Sequence, residues 1–430
     1  MFEPITPDNT IFVQLCFEGT DPYSQAGGLG TRVVNMGEAL AEQGFETHLF
    51  FIGDPHMPAE ETKCNGRYVW HRWSQWISKH HPAGVYDGEE GKLTDYSGSV
   101  PVHVYDRIAR PAAAAGKRLV VIAEDWHTVD ALCNLSDRLH EHGIRMDATL
   151  MWNANNTMGF HRINWNRLRY VATITAVSRF MKHTMWPVGV DAISIPNGIP
   201  RRMLKKPDPK DVRKLQKVFK DRGADLALLK IGRFDPAKRW MMATEAVALL
   251  KRGGVRPLFM VRGGIEPHGA EVLERAAQLG LNVHDIVLPG RPTVDECIDA
   301  VRTAPAHADV LHLRFFLPEE FVRLLYRCCH AVFANSGFEP FGLVGLEVMG
   351  AGGIAFTGST GEDYVMPFVN AVSCESSDPR EMVAYLRWLN QNPDAVTAIK
   401  REAARTAAHF TWDNAINNLL RRIEFIATQE

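Results

Sequence analysis

Apolar and polar positions along this chain follow one repeated rhythm. Short apolar blocks bounded by glycine, proline or asparagine alternate with longer segments of helical period, the pattern of a parallel sheet covered by helices. Residues 10–17 read as an apolar strand, followed by the glycine loop Gly27–Gly30 and a helix over about 31–43, closed by Gly44. Residues 46–52 read as the next strand, and Leu119–Ala123 (Leu-Val-Val-Ile-Ala) as a buried one. That buried strand delivers Asp125 and His127 at its carboxyl end, where open α/β sheets bind ligands. The stretch from Pro196 to about Lys210, rich in proline and basic residues, reads as a linker. A second series of strands follows at 226–231, 257–261, 285–288, 309–313 and 331–334. The last segment carries Ala415, Ile416, Leu419, Leu420, Ile423 and Ile426 on one stripe, which suits a helix laid back across the first domain.

Composition narrows the class. With 430 residues, 46% of them hydrophobic, the chain can bury two cores, and its length favours two or three domains. A formal net charge of −2 supplies no basic field for nucleic acid. The seven cysteines show no C-x-x-C spacing, which points to reduced thiols and a cytoplasmic protein. No secretory leader and no apolar run of membrane-spanning length is expected, although peripheral membrane contact stays open.

Two loops carry the candidate chemistry. Glu339 and Glu347 bracket the run Pro-Phe-Gly-Leu-Val-Gly-Leu, directly after the apolar strand Ala331–Ala334. A helix N-terminus there attracts anions, and Gly342 lets a phosphate approach the main chain. Carboxylates repel phosphate, so a ligand of this loop needs hydroxyl groups beside its phosphates; a nucleotide sugar has both. In isolation the loop also suits ordinary packing, with glutamates serving only the helix dipole. The second loop, Gly232-Arg233-Phe234-Asp235-Pro236-Ala237-Lys238, places two cations beside a strand–helix turn. Arginine offers a planar fork and lysine a mobile point charge, a combination that suits a diphosphate. Alone it is a solvated basic turn; beside the glutamate loop, the phosphate reading is preferred.

With these motifs the chain resembles the retaining glycosyltransferases of the GT-B fold, in the group of glycogen and starch synthases, sucrose-phosphate synthases and bacterial mannosyl- and glucosyltransferases. Arg233, Lys238, Glu339-Pro340-Phe341-Gly342-Leu343 and Glu347 carry the likeness in the second half. Gln25-Ala26-Gly27-Gly28-Leu29-Gly30, Glu124-Asp125-Trp126-His127-Thr128, Ile174–Ser178, Pro196-Asn197-Gly198-Ile199 and Phe410-Thr411-Trp412 carry it elsewhere. Only about residues 56–100 lie outside it. The resemblance implies an α/β protein with two Rossmann-like, doubly wound parallel-sheet domains facing a central cleft. Expected boundaries are 1–198 on the acceptor side, with an insertion at about 56–100, then 199–410 for the nucleotide sugar, and 411–430 as the helix crossing back.

By the same resemblance, Glu339 holds the donor sugar and stabilises its cationic ring, and His127 contacts the transferred sugar. Arg233 and Lys238 meet the diphosphate; Gly28, Gly30, Gly342, Leu343 and Thr360 line the donor phosphates; and Glu347 grips the ribose. Asp125 shapes its loop and, with Asn164 and Trp73, is a candidate acceptor contact. Bacterial glycogen synthases have lysine where this chain has Gln25, which argues against that enzyme in particular. The implied reaction moves a hexosyl unit from a UDP-, ADP- or GDP-sugar to a sugar, glycan or lipid-linked acceptor, with retention through an oxocarbenium-like transition state. No D-x-D triplet occurs, so protein cations rather than a metal are expected to meet the leaving-group charge, and no other cofactor is expected. A nucleotide-sugar epimerase of the same fold and a non-catalytic carbohydrate-binding protein are the alternatives. A phosphorylase would need a pyridoxal phosphate lysine motif, which is not found.

Trp70, Trp73 and Trp76, with Ile77, read at helical spacing as one aromatic face. Such a face serves a core, a homodimer contact or acceptor selection. The His80-His81 pair lacks further ligands at zinc spacing.

Overall fold

The structure, a computed structural model, describes residues 4–426. It divides into two compact units. One comprises the chain up to Gly198 together with the C-terminal helix from Trp412; the other spans Ile199–Thr411.

The first unit is built on strands β1 (Thr10–Leu15), β2 (Glu46–Ile52), β3 (Glu60–Lys63), β4 (Tyr68–Trp73), β5 (Arg118–Glu124), β6 (Ala148–Ala154), β7 (Thr173–Ala176) and β8 (Ile193–Ser194). They lie in the order β3-β4-β2-β1-β5-β6-β7-β8, and every pair is parallel except β3 with β4. Central strands covered on both faces lose polar alternation, and every residue of β1 and β6 is buried. Gln14 in β1 is tolerated because its amide donates to Val33 O at 3.0 Å and accepts from the Tyr68 hydroxyl at 3.2 Å. Helix α1 (Gly28–Glu42) passes so close to Tyr68 that a Cβ on Gly37 would lie 2.2 Å from the ring. Helix α2 (Glu89–Val104) connects the β4 side of the sheet to β5. The C-terminal helix Trp412–Ile426 buries Trp412, Ile416, Leu419, Ile423 and Ile426 against Phe12, Leu40, Val120 and Met151.

Two expectations change, and one strand escapes the sequence pattern. Trp70 and Trp73 lie on strand β4, not on a helix, in register with Leu49 and Ile52 of β2. Three residues apart on a strand, they point to opposite faces, and Trp76 sits 65% exposed on the short turn beyond. The three indoles therefore form no common face. Strand β6 went unread because burial on both faces erases its period, while Thr149 and Asn153 interrupt its apolar run. The expected linker from Pro196 to Lys210 already holds a short turn at Arg201–Leu204 and, from Pro209, a helix capped by Asp208.

The second unit carries β9 (Leu226–Ile231), β10 (Pro257–Arg262), β11 (Val283–Ile286), β12 (Val310–Leu313), β13 (Ala331–Ala334), β14 (Ala355–Thr357) and β15 (Val372–Ser373). Their order is β11-β12-β10-β9-β13-β14-β15, with every pair parallel. Helix α3 (Leu343–Gly350) follows β13. Phe259, Phe333, Phe356 and Trp240 fill the core of this unit.

Candidate active site

In both sheets the strand order reverses at one place, and most of the candidate residues follow strands that meet there, while Trp73 ends β4 and Asn164 follows β6. β1 lies between β2 and β5 in the first sheet, and β9 between β10 and β13 in the second. Successive connections leave such a point in opposite directions and open a crevice at the carboxyl ends of the strands. The glycine loop follows β1, and Asp125 and His127 follow β5. Arg233 and Lys238 follow β9, and Glu339 follows β13.

In the first unit, Glu124 ends β5 fully buried. Its carboxylate accepts from Arg32 Nε at 3.2 Å to each oxygen, from Asn153 at 2.8 Å and from Asn155 at 2.7 Å. Arg32 also donates to Asn197. The next residue, Asp125, has a φ of +60°, unusual for a side chain other than glycine. Its carboxyl accepts from the Asn155 amide N–H at 2.8 Å and from the Asn156 side chain at 2.8 Å, so it shapes this loop. Burial pushes that carboxyl up to about 7.

His127 lies stacked on Phe17, ring centroids 4.4 Å apart, and on Trp126 at 3.9 Å. Its Nε2 meets Glu89 Oε1 at 2.7 Å, while the buried Nδ1 has no hydrogen-bond partner among the described residues. Burial lowers the imidazole's proton affinity more than Glu89 raises it. The glycine loop opens α1 at Gly28, three residues earlier than its apolar period indicates. Gly28 is open to solvent, whereas a Cβ on Gly30 would come within 2.8 Å of Gly19 O. Asn164 accepts from Arg167 N at 3.1 Å and caps the Trp165–Val171 helix. The Trp73 indole donates to Ser99 at 2.7 Å.

The second unit brings together the two motifs read from its sequence. Lys238 Nζ lies 2.6 Å from Glu339 Oε1, and Ser336 donates to the other oxygen at 2.9 Å. Arg233 is exposed, and its guanidinium has no ion-pair partner among the described residues; its carbonyl accepts from the Trp240 indole at 2.7 Å. Gly342, with φ of +81°, caps α3, and Leu343 is the first helical residue. A Cβ there would lie 3.1 Å from the Tyr364 hydroxyl and 3.3 Å from Thr360 Oγ1, so Thr360 stands at the same helix N-terminus. Glu347 is the fifth helical residue, closer to the N-terminus than two full turns. It accepts from the Tyr326 hydroxyl at 3.2 Å, and burial pushes its carboxyl up to about 7 although part of the residue reaches solvent. The α3 N-terminus, Lys238, Glu339 and Glu347 thus gather at the carboxyl ends of β9 and β13, and Arg233 lies on the loop that carries Lys238.

Sequence reasoning assigned no role to Glu18, Glu89 or Lys230. Glu18 accepts from the amide N–H groups of Ala26, Gly27 and Gly30 at 3.1–3.3 Å and from the Tyr86 hydroxyl at 2.8 Å, which holds the glycine loop. Glu89 lies far from His127 in sequence, and no local pattern links them. Lys230 had a visible signal, a lone charge inside the apolar strand Leu-Ala-Leu-Leu-Lys-Ile. Among the described residues no group of three or more His, Cys, Asp or Glu side chains is placed to hold a metal ion, and no helix is long and apolar enough to cross a membrane.

Two Rossmann-like parallel-sheet units of this topology define a GT-B fold, and the chain is related to glycosyltransferases of that fold. A D-inositol 3-phosphate glycosyltransferase of Catenulispora acidiphila is 25% identical over 430 residues, covering 93% of this chain and 92% of that protein. Among solved structures, sucrose-phosphate synthase of Thermosynechococcus elongatus superposes with a TM-score of 0.69 at 16% identity, covering 97% of this chain and all of that one. The catalytic domain of starch synthase IV of Arabidopsis thaliana, bound to ADP and acarbose, gives 0.70 at 14% identity, covering 98% and 99%. No family model matches the chain.

Proposed function

We propose that this protein is a metal-independent, retaining hexosyltransferase that takes its sugar from a nucleotide diphosphate sugar. The observation that carries this reading is the 2.6 Å contact between Lys238 and Glu339, beside exposed Arg233 and the α3 N-terminus at Gly342 and Thr360. A cation touching a carboxylate suits a ligand with negative phosphates and sugar hydroxyls in adjacent positions. Lys238, Arg233 and the α3 amides stabilise the charge that develops on the leaving diphosphate. Glu339 accepts from the donor sugar's hydroxyls and stabilises the positive ring, and Glu347 accepts from ribose hydroxyls. His127 contacts the transferred sugar, and the departing phosphate oxygen takes the acceptor's proton. Neither carboxylate acts as a covalent nucleophile, unlike the paired carboxylates of retaining glycosidases.

The acceptor is a sugar, a glycan or a lipid-linked sugar. The name of the Catenulispora acidiphila relative favours a small phosphorylated polyol among soluble acceptors. All seven cysteines are unpaired, which supports work in a reducing compartment such as the cytoplasm. A thermal-shift panel of UDP-, ADP- and GDP-sugars tests the donor. One nucleotide class is expected to raise the melting temperature by several degrees at about 100 times its Kd, a gain of roughly 2.7 kcal/mol. No shift with any of them contradicts the reading. Conversion of the donor sugar without an acceptor would indicate an epimerase.

A further inference from the structure

Lys230 takes no part in the transfer described above, yet it lies within electrostatic reach of two groups that do, Lys238 and Glu339. It is the fifth residue of β9 and 2% exposed. Its Nζ donates to Phe333 O at 3.1 Å and to Asn335 Oδ1 at 2.5 Å, and lies 5.1 Å from the centroid of the Trp240 ring. Asn335 is fully buried, and its amide in turn donates to Arg239 O at 3.4 Å. β9 and β13 are sheet neighbours, with Leu228 opposite Ala331 and Leu229 opposite Val332. Their carboxyl ends open the two loops that bear Lys238 and Glu339. A single buried ammonium therefore ties together the roots of both loops. A charge taken out of water is costly unless it is paired, and the atoms bonded to this one are neutral oxygens. An anion arriving above it would supply the missing countercharge.

We propose that Lys230 is a positioning residue for a bound diphosphate: it joins the roots of the Lys238 and Glu339 loops, and its ammonium supports the ligand's negative charge from beneath. This rests on the reading of the site given under Proposed function. The charged groups that act on Lys230 are Lys238, which opposes its charge, and Glu339, which favours it; the Cys374 thiol beside it stays neutral, burial pushing it up to about 12. Burial, aided by Lys238, brings the ammonium down to about 7.

A bound diphosphate adds negative charge and raises that value, so binding takes up a proton above about pH 7. Affinity then falls as pH rises from 7 towards the bound-state value. Below 7 the group is protonated in both states and contributes no slope. Glu347 also titrates near 7 and gives the opposite slope, because its ionised form is the better hydroxyl acceptor. It is unchanged in variants at 230, so comparison among them isolates the lysine.

The test is calorimetry of UDP, ADP and GDP on wild type, Lys230→Met and Lys230→Arg at pH 7, 8 and 9, in buffers of different ionisation enthalpy. A one-unit rise on binding makes the lysine's contribution to wild-type affinity fall about fivefold between pH 7 and 9, with proton uptake at that group. Lys230→Met is expected to bind about tenfold more weakly at pH 7, with the proton uptake and the accompanying fall in affinity both gone. Lys230→Arg, charged throughout, is expected to recover affinity at pH 7 without proton uptake, and it decides the matter if the methionine variant does not fold. A Lys230→Met affinity profile and proton balance that both run parallel to those of wild type across pH 7–9 overturn the proposal alone. Failure of the wild type to bind any of the three nucleotides overturns the reading of the site, and the proposal with it.

Discussion

Glu339→Gln is expected to lower sugar transfer by roughly 10²–10³-fold, the range typical for removing one preorganised electrostatic contact from a transition state. The side chain keeps its size and its contact with Ser336, so the loop is not emptied. What disappears is the negative charge that holds Lys238 at 2.6 Å and that, in the proposed reaction, faces the ring as it becomes cationic. The loss belongs in kcat more than in KM, because the ring charge exists only in the transition state. Both partners are about a quarter exposed, so the pair contributes little to stability, and the melting temperature should stay within a few degrees of wild type. Steady-state kinetics with the preferred donor, alongside thermal melting, measures both. Near-wild-type turnover would remove Glu339 from the reaction. Lys238→Ala is expected to act in the same direction.

The second large effect concerns the support of the histidine loop. Arg32→Met removes the cation that pairs both oxygens of Glu124 inside the first unit. Both side chains are at most 4% exposed, so the remaining carboxylate is left buried with only two amide donors, Asn153 and Asn155. Breaking a buried pair from one side typically costs about 3–5 kcal/mol. Denaturant unfolding of wild type and variant reads this as a shift of the midpoint at constant slope. The double variant Arg32→Met with Glu124→Leu should recover much of the loss, because no charge is then stranded. A single variant as stable as wild type would show that water or another cation reaches Glu124. Asn155 bonds both Glu124 and Asp125, so the single variant should also loosen the loop that carries His127.

Much of this architecture was legible in the sequence, for identifiable reasons. Strands such as Leu226–Ile231 and Ala331–Ala334 are compact apolar blocks between glycine, proline and polar turns, and their boundaries agree with the structure. The C-terminal helix was legible from its stripe. The Lys238–Glu339 contact could be anticipated because each residue follows a strand at the sheet's reversal point, where topology forces adjacent loops together. The tryptophans misled because spacing of three suits a helix face, and the strand became evident only through its pairing with β2. The seating of the glycine loop by Glu18 and the contact of Glu89 with His127 were illegible, because each depends on a tertiary approach that local pattern does not encode.

The central claim is that protein groups, not a bound ion, meet the charge of a departing nucleotide diphosphate. One measurement addresses it directly: sugar transfer from the preferred donor before and after exhaustive chelation, with the product's anomeric configuration read by NMR. Undiminished transfer after chelation, with retained configuration, is the expected result. Loss of an otherwise robust transfer that returns when a divalent cation is restored would contradict it.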